Sequence, residues 1–217
     1  MANQSKPFRF LDLPPELRVR VYSYLFEFEG ELAIFTGQLV THVIGPHNMQ
    51  PVIITVGLLA TCSIIHREAT PILYGSNKLA PWKSADFLRQ IGRSVAYIRR
   101  IEFSVQEPKA SRRSSLTLLK QATSLCWLGM PFAPALREAE KEDSFVKELG
   151  PLIRALHKSQ KKDAKRKDRD VLKIIEMVPY LAGLYEPEFH GKERKEAKAR
   201  AKRYQTYIKR ALRKTLK

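Results

Sequence analysis

The side chains best suited to chemistry in this sequence are the lysines and arginines of its last third. Residues 151–217 hold 21 Lys and Arg against 8 Asp and Glu, whereas residues 1–150 hold 18 against 14, within a net charge of +17. Cationic side chains neutralise phosphates and release counterions, which gives affinity without sequence preference. Two clusters are candidates for nucleic-acid binding or for a nuclear import signal: Lys161, Lys162, Lys165, Arg166 and Lys167, and Lys202, Arg203, Lys209 and Arg210. Contact with an acidic protein is a further interpretation of the same charge.

Other residues that could ligate a metal or transfer a proton lack the spacing of a known site. They are His42, His47, Cys62 and His66, and separately Glu186, Glu188 and His190. Neither group matches a zinc pattern, so we expect ordinary core, loop and turn residues there. A phosphate-binding loop, a nucleophile elbow and a zinc-protease helix are also missing from the sequence. We therefore expect no catalytic residue, no metal and no cofactor, and hence no enzyme activity.

The composition is that of a protein with a substantial core. The chain has 217 residues, of which 44% are hydrophobic, enough for one large domain or a domain with an extension. Two cysteines, Cys62 and Cys126, disfavour a disulfide scaffold. The first residues lack the apolar segment of a secretory signal, and no run of about 18 apolar residues predicts a membrane helix. We expect a nuclear or cytoplasmic protein, with the nucleus favoured by the basic segment.

A short helix with one apolar face is predicted early in the chain. Pro14-Pro15-Glu16 suits a first helical turn, because the amides of that turn have no intrahelical partner and Glu16 complements the positive helix end. The apolar residues that follow recur every three or four positions and share one face: Leu17, Val21, Tyr24 and Leu25. That face requires a partner.

A second helix is predicted further along, with a wider apolar stripe. The stripe consists of Leu58, Leu59, Cys62, Ile65, Ala69, Ile72 and Leu73. Its width suggests burial against the first helix rather than exposure. Pro71 should kink or split this helix, and Gly75 is available for a left-handed residue at its end.

These two segments resemble the fungal F-box-like family. The family's opening has the form Leu-Pro-x-Glu-Leu-Arg-x-x-(Ile/Val)-Tyr-x-x-Leu, matched here by Leu13 to Leu25, and its second helix is matched by Leu58 to Asn77. The similarity runs from Phe8 to Val105. It implies a helical hook that binds a Skp-type adaptor, while the rest of the chain presents a substrate protein to a cullin-RING ubiquitin ligase. The residues that would face the adaptor are Leu13, Pro14, Leu17, Val21 and Leu25.

The remaining pattern predicts short strands followed by helices. Glu31 to Phe35 and Leu39 to Ile44 have the pattern of a hairpin, with its turn at Thr36-Gly37-Gln38. Further elements are a strand over Lys78 to Trp82, a helix from Ser84 to Gln90 that stops at Gly92, and a strand around Ile98 to Val105. After a linker at Lys109 to Ser115, helices are expected over Leu116 to Trp127, Ala135 to Leu149, Asp170 to Leu181 and Lys192 to Lys217, with breaks at Gly129-Met130-Pro131 and Gly150-Pro151.

The sequence thus predicts a mostly helical α+β protein in three parts. Residues 8–107 are an F-box-like helical module with a small inserted β-hairpin and short strands, residues 108–150 a helical linker region, and residues 151–217 a basic helical extension. The predicted function is a protein-interaction adaptor, the F-box-like substrate receptor of an SCF-type cullin-RING ubiquitin ligase. The alternatives are a nuclear protein that binds DNA or RNA through its basic helices, and an interaction domain that no longer binds the adaptor.

Overall fold

Six α-helices lie in the part of the chain that the structure describes. The computed structural model describes residues 8–34, 40–44, 49–53, 56–132, 142–162, 170–179 and 192–216. The helices are α1 (Pro15–Phe26), α2 (Ser63–Ser76), α3 (Ser84–Ile91), α4 (Lys109–Leu118), α5 (Glu142–Lys162) and α6 (Lys192–Thr215). Short 3-10 helices are found at Phe10–Asp12, Val56–Ala60, Gly92–Tyr97, Leu119–Gln121 and Val171–Ile174.

Within the described residues, seven strands form one parallel sheet and one hairpin. They are β1 (Glu31–Ile34), β2 (Val40–Ile44), β3 (Met49–Ile53), β4 (Lys78–Pro81), β5 (Arg100–Glu102), β6 (Trp127–Phe132) and β7 (Ile175–Pro179). The sheet has the order β1-β4-β5-β6-β7, and all its neighbours are parallel. Strands β2 and β3 pair antiparallel as a separate hairpin. The large sheet therefore grows in one direction, in the order of the chain.

The two faces of the sheet differ in composition. One register row crosses all five strands and is fully buried: Leu32, Leu79, Ile101, Leu128 and Ile175. Successive parallel strands added in one direction by right-handed crossovers carry their helices on one face of the sheet. Accordingly α3 contacts α4, α4 contacts α5, and α5 contacts α6, and this row of helices covers the apolar face. The opposite face carries charged side chains and Trp127.

Helix α6 packs on β7, the strand at one edge of the sheet. Ile208 and Leu212 are buried beneath it, and the backbone amide of Met177 donates to Oε1 of Gln205 at 3.0 Å. At this position α6 uses a glutamine side chain to satisfy a backbone group of the edge strand, which would otherwise be available to another chain. The buried side of this helix consists of Ala197, Ala201, Ile208 and Leu212.

The predicted class, mostly helical with strands, is confirmed, but the strand pairing differs from the prediction. Strand β1 pairs with β4 and not with the next strand in the chain. The antiparallel hairpin joins β2 to β3 instead, so its turn follows Ile44. The predicted turn at Thr36-Gly37-Gln38 lies outside the described residues. The predicted hairpin lies one strand too early. Strand β1 pairs instead with a parallel strand far away in the sequence, and no local pattern indicates that pairing.

Several helix and loop predictions after Pro108 are wrong. Lys109 to Ser115, predicted as a linker, forms most of α4. Gly129-Met130-Pro131, predicted as a break, lies within β6. Asp170 caps the next element, with Oδ1 accepting from the amide of Leu172 at 3.0 Å, but one turn of 3-10 helix and strand β7 follow it instead of the predicted helix.

The three predicted parts of the chain share one sheet and one core. Residues 8–107 supply β1, β4 and β5, residues 108–150 supply β6, and residues 151–217 supply β7. The predicted boundary at 150/151 falls inside α5, which continues through Gly150-Pro151. One hydrophobic cluster extends from Tyr22 to Leu212. The basic segment is thus structurally integrated through β7 and α6.

Candidate functional site

Helices α1 and α2 are braced by a network of charged and phenolic groups. Arg18 and Glu68 form a two-pronged ion pair, with Nε to Oε2 at 2.9 Å and Nη2 to Oε1 at 2.7 Å. The Tyr22 hydroxyl donates to Glu68 Oε2 at 3.2 Å. The hydrogen bond from Arg18 holds the pKa of the Glu68 carboxyl below its usual value, and burial raises the pKa of Tyr22 to about 12. Planar bidentate geometry fixes one helix relative to the other.

Asn77 ties the carboxyl ends of the same two helices together. Its side chain is buried, and Nδ2 donates to the carbonyls of Phe26 at 2.6 Å and Leu73 at 2.7 Å, while Oδ1 accepts from the amide of Phe28 at 3.0 Å. The last carbonyls of a helix have no partner within the helix, so this single amide satisfies both ends. Gly75, predicted as the left-handed stop of α2, is helical, and its φ is not positive. The prediction that Gly75 ends α2 is therefore wrong, since the C-cap residue is Asn77.

The residues predicted to face an adaptor are partly exposed on the surface. We call Leu13, Pro14, Leu17, Val21 and Leu25 the apolar ridge. Leu17, Val21 and Leu25 are 43%, 38% and 45% exposed, Pro14 is exposed and Leu13 half-buried. The structure brings these residues together along one side of α1 and its entry. Aliphatic side chains exposed in a row on a well-braced helix are a surface that another molecule can cover.

The buried side of α1 is formed by residues that sequence reasoning did not single out. Tyr22 and Phe26 are buried, and the ring of Phe10 contacts that of Tyr22 edge to face at 5.6 Å. Their spacing of four residues is a helical signal, but the aliphatic residues dominated the pattern. On α2 the predicted stripe is buried at Ile65, Ala69 and Leu73.

The basic residues predicted for nucleic-acid binding occupy two neighbouring helices where they are described. Lys161 and Lys162 are exposed at the end of α5, and Lys202, Arg203 and Arg210 are exposed on α6. Burial lowers the pKa of Lys209, which is half-buried. Lys165, Arg166 and Lys167 lie outside the described residues.

Tyr204 belongs to the packing of α6. Its ring lies 5.3 Å from that of Phe132 and 6.4 Å from that of Phe145, measured between centroids. Tyr207 stacks on Tyr204 at 6.5 Å and is partly exposed. Tyr204 therefore contributes to the core rather than to a surface for unpaired bases.

A polar groove lies on the other side of α1 and was not anticipated from the sequence. It has a volume of about 950 Å³ and runs between the end of α1, the end of α2 and the start of β5. We call it the arginine groove, since its lining includes Arg20, Arg99 and Arg100, all exposed. The other lining residues are Val19, Ser23, Tyr24, Glu27, Phe28, Glu29, Gly75, Ser76 and Cys126. Its arginines are far apart in sequence, so only the fold reveals the cluster.

The open face of the sheet carries a compact charged cluster. Lys78 Nζ pairs with Glu31 and lies 2.7 Å from Glu102 Oε2, with the ring of Trp127 4.4 Å away. Trp127 Nε1 donates to Glu176 Oε2 at 2.6 Å. Burial lowers the pKa of Lys78, but its two carboxylate partners together outweigh burial and raise it. Burial raises the pKa of Glu102. Lys78 thus bridges two carboxylates on this face of the sheet.

The described residues offer no cluster of three His, Cys, Asp or Glu side chains suited to a metal ion. Cys62 is half-buried and Cys126 is exposed, both as free thiols. The His66 ring lies beside the Thr70 hydroxyl at 3.5 Å. Glu186, Glu188 and His190 lie outside the described residues. Among the helices described, none combines the length and the apolar character needed to cross a membrane.

The apolar ridge and the arginine groove are therefore the two surfaces of the described chain best placed to meet another molecule. Comparison with protein-family models, with curated proteins and with solved structures finds no match to this chain.

Proposed function

We propose that this protein is a docking adaptor, in which the apolar ridge binds a Skp-type adaptor and the rest of the chain presents a substrate protein to a cullin-RING ubiquitin ligase. The proposal rests on the exposure of the ridge on a helix that is otherwise firmly held. Arg18 and Tyr22 anchor α1 to Glu68, so the ridge is presented in one fixed orientation. The F-box-like pattern of Leu13 to Leu25 names the adaptor class.

The ridge alone supplies only part of the required binding energy. A fully buried Leu or Val side chain contributes about 1.5 to 3 kcal/mol. Because Leu17, Val21 and Leu25 are each somewhat under half exposed, covering them contributes about 1 kcal/mol apiece. A stable interface of about 800 Å² per partner needs more. Phe8 and Leu11, exposed before α1, and Ile64, exposed on α2, are further apolar side chains that the adaptor would cover.

The test compares two identical substitutions two residues apart. Val21 on the ridge is 38% exposed and Val19 on the groove side is 43% exposed, so aspartate at either position has a similar effect on folding. Purified wild-type protein, Val21→Asp, Leu17→Asp/Val21→Asp and Val19→Asp are each mixed with a tagged Skp-type adaptor and recovered by affinity capture. We expect wild type and Val19→Asp to be retained, Val21→Asp to be weakened and the double variant to be lost.

Two results would end this proposal. One is that no variant, including wild type, is retained by the adaptor at micromolar concentration. The other is that Val19→Asp and Val21→Asp reduce retention equally, since a ridge interface requires them to differ. Circular dichroism of each variant establishes that it is folded before capture.

The exposed cations of α6 support a second candidate, nucleic-acid binding in the nucleus. Deleting residues 151–217 is not a valid test, because this segment contains half of α5 and all of β7. Charge reversal is cleaner, since Lys202 and Arg203 are exposed. Retention on mixed DNA and RNA should fall steeply with salt in wild type and less steeply in Lys202→Glu/Arg203→Glu. Equal salt slopes would exclude this surface as the binding site.

A further inference from the structure

The arginine groove has the size, charge and position of a binding site distinct from the apolar ridge. Its volume of about 950 Å³ is at the upper end of the range for ligand sites, about 300 to 1,000 Å³. Three guanidinium groups line it, from α1 and from the start of β5. Arginine is the side chain best suited to bind a planar anionic group with two hydrogen bonds.

Two of the three arginines have no partner within the described part of the chain. Arg100 is engaged, because Nη2 donates to the carbonyl of Ser76 near the end of α2. The side chains of Arg20 and Arg99 are exposed, and neither guanidinium makes a hydrogen bond or ion pair with another described residue. Positive charge concentrated in a groove with protein walls raises the local concentration of anions. These two side chains are therefore available for a ligand.

The groove and the ridge lie on different sides of α1. Residues two positions apart on a helix are rotated by about 200°, so their side chains point to nearly opposite sides. Val19 and Ser23 line the groove, while Leu17, Val21 and Leu25 form the ridge. Tyr24 is 91% exposed, also lines the groove, and lies where the groove meets the ridge face of the helix. Val19 and Ser23 point away from the ridge, so the part of the groove that they line stays accessible when the ridge is covered.

The carboxylates of the groove indicate which kind of anion fits. Glu27 and Glu29 lie among the arginines, and Glu27 Oε1 accepts hydrogen bonds from the hydroxyls of Ser76 at 2.9 Å and Ser23 at 3.3 Å. A nucleic-acid strand carries a negative charge at every phosphate and would meet these glutamates. A peptide with separated acidic side chains can place them at the arginines and neutral residues beside the glutamates. Tyr24 and Phe28 offer apolar contact for those neutral residues.

We propose that the arginine groove binds an extended acidic peptide segment of the protein that this adaptor recruits, with Arg20 and Arg99 pairing with its carboxylates. The inference deepens the proposed function and rests on it for the identity of the partner, but the binding chemistry does not require the Skp-type adaptor.

The test is fluorescence anisotropy of the full-length protein with a fluorescein-labelled Gly-Glu-Ser repeat peptide at fixed low salt. A Gly-Gln-Ser repeat peptide of equal length is the neutral probe. We expect saturable binding of the Glu peptide alone. Loss of two charged hydrogen-bonding groups in Arg20→Gln/Arg99→Gln should weaken it at least about tenfold. The matched control is Arg67→Gln/Arg93→Gln, which removes the same charge from exposed arginines outside the groove.

Three outcomes would overturn the inference: no saturable binding of the Glu peptide, equal weakening in the two arginine pairs, or tighter binding of an oligothymidylate that is lost with Arg20 and Arg99. The first outcome would show that the groove does not bind acidic peptides, and the second that binding is general electrostatic attraction. The third would make the groove a nucleic-acid site. The ridge variant Leu17→Asp/Val21→Asp should retain full peptide affinity. Failure of the peptide assay and failure of adaptor capture are therefore separate results.

Discussion

Replacing Asn77 by alanine should destabilise the protein strongly, because one buried amide serves three backbone groups. The substitution removes the donors to the carbonyls of Phe26 and Leu73 and the acceptor for the amide of Phe28. Each buried polar group left without a partner costs about 1 to 3 kcal/mol. We expect a loss of about 3 kcal/mol, the lower end for three groups, because water can enter the space vacated by the side chain.

The loss is measured by urea unfolding followed by far-UV circular dichroism, with the slope of free energy against urea compared between variants. Ser76→Ala is the control, since it removes the neighbouring, exposed hydrogen bond to Glu27 and should cost less than about 1 kcal/mol. In Asn77→Asp the introduced carboxylate faces two carbonyls, so its pKa should rise on folding. That variant should lose stability as pH increases above the unfolded-state pKa, about 3.9 for Asp. A loss below about 1 kcal/mol for Asn77→Ala, or one equal to that of Ser76→Ala, would refute the role assigned to this residue.

Glycine substitutions provide the remaining predictions. Gly75→Ala should stabilise the protein by up to about 1 kcal/mol in thermal unfolding. The residue is helical, and an added Cβ would lie 3.4 Å from its nearest atom, so there is room for it. Marked destabilisation would contradict this expectation. Gly92→Ala should instead cost about 1 to 2 kcal/mol in the same assay, because its φ is +53°, and a neutral result would show that the backbone can relax. Gly129→Ala should displace the ring of Trp127, which would clash with the new Cβ. Its fluorescence, read in a Trp82→Phe background, should shift to longer wavelength, and an unchanged spectrum would refute the close contact.

Several features of the amino-terminal half are predicted correctly because their signals are local. Pro15 opens α1, and the helix near Ser84 ends at Gly92, whose positive φ confirms the predicted stop. Strand β4 begins at Lys78 as expected. Each of these features depends on a few adjacent residues. The ridge could also be identified, but periodicity alone did not show that Tyr22 and Phe26, rather than the aliphatic residues, face the core.

Strand β6 shows why the later elements were missed. Gly129 and Pro131 are normally breakers, yet both have a place in this strand. The carbonyl of Gly129 accepts from the amide of Phe103, so Gly129 faces β5, and Pro131, two residues on, faces the same side, where β5 has already ended. Because Pro131 has no partner strand on that side, the N–H group that proline lacks leaves no ladder hydrogen bond unmade. Gly129 and Pro131 are therefore compatible with β6 only because of the register in which this strand pairs with β5, which lies far away in the sequence.

Long-range pairing also explains the arginine groove and helix α4. Arg112 and Arg113 were assigned to a linker because they are polar, but Glu148 on α5 lies 3.0 Å from Arg112 Nε and 3.2 Å from Arg113 Nε. A carboxylate some 35 positions away therefore supports that helix. In the same way, Arg20 and Arg99 are unremarkable until the fold places them at one groove.

The match between strand order and chain order has a consequence for synthesis on the ribosome. Each strand of the large sheet finds its neighbour among residues that were translated before it, so pairing can advance as the polypeptide emerges. Until α6 has been synthesised, it cannot cover β7, and the outer edge of this strand exposes unpaired backbone N–H and C=O groups. A premature stop before Lys192 would release such a species. We expect it to self-associate and to depend on chaperones, whereas a stop before the last strands would leave a smaller sheet with the same weakness.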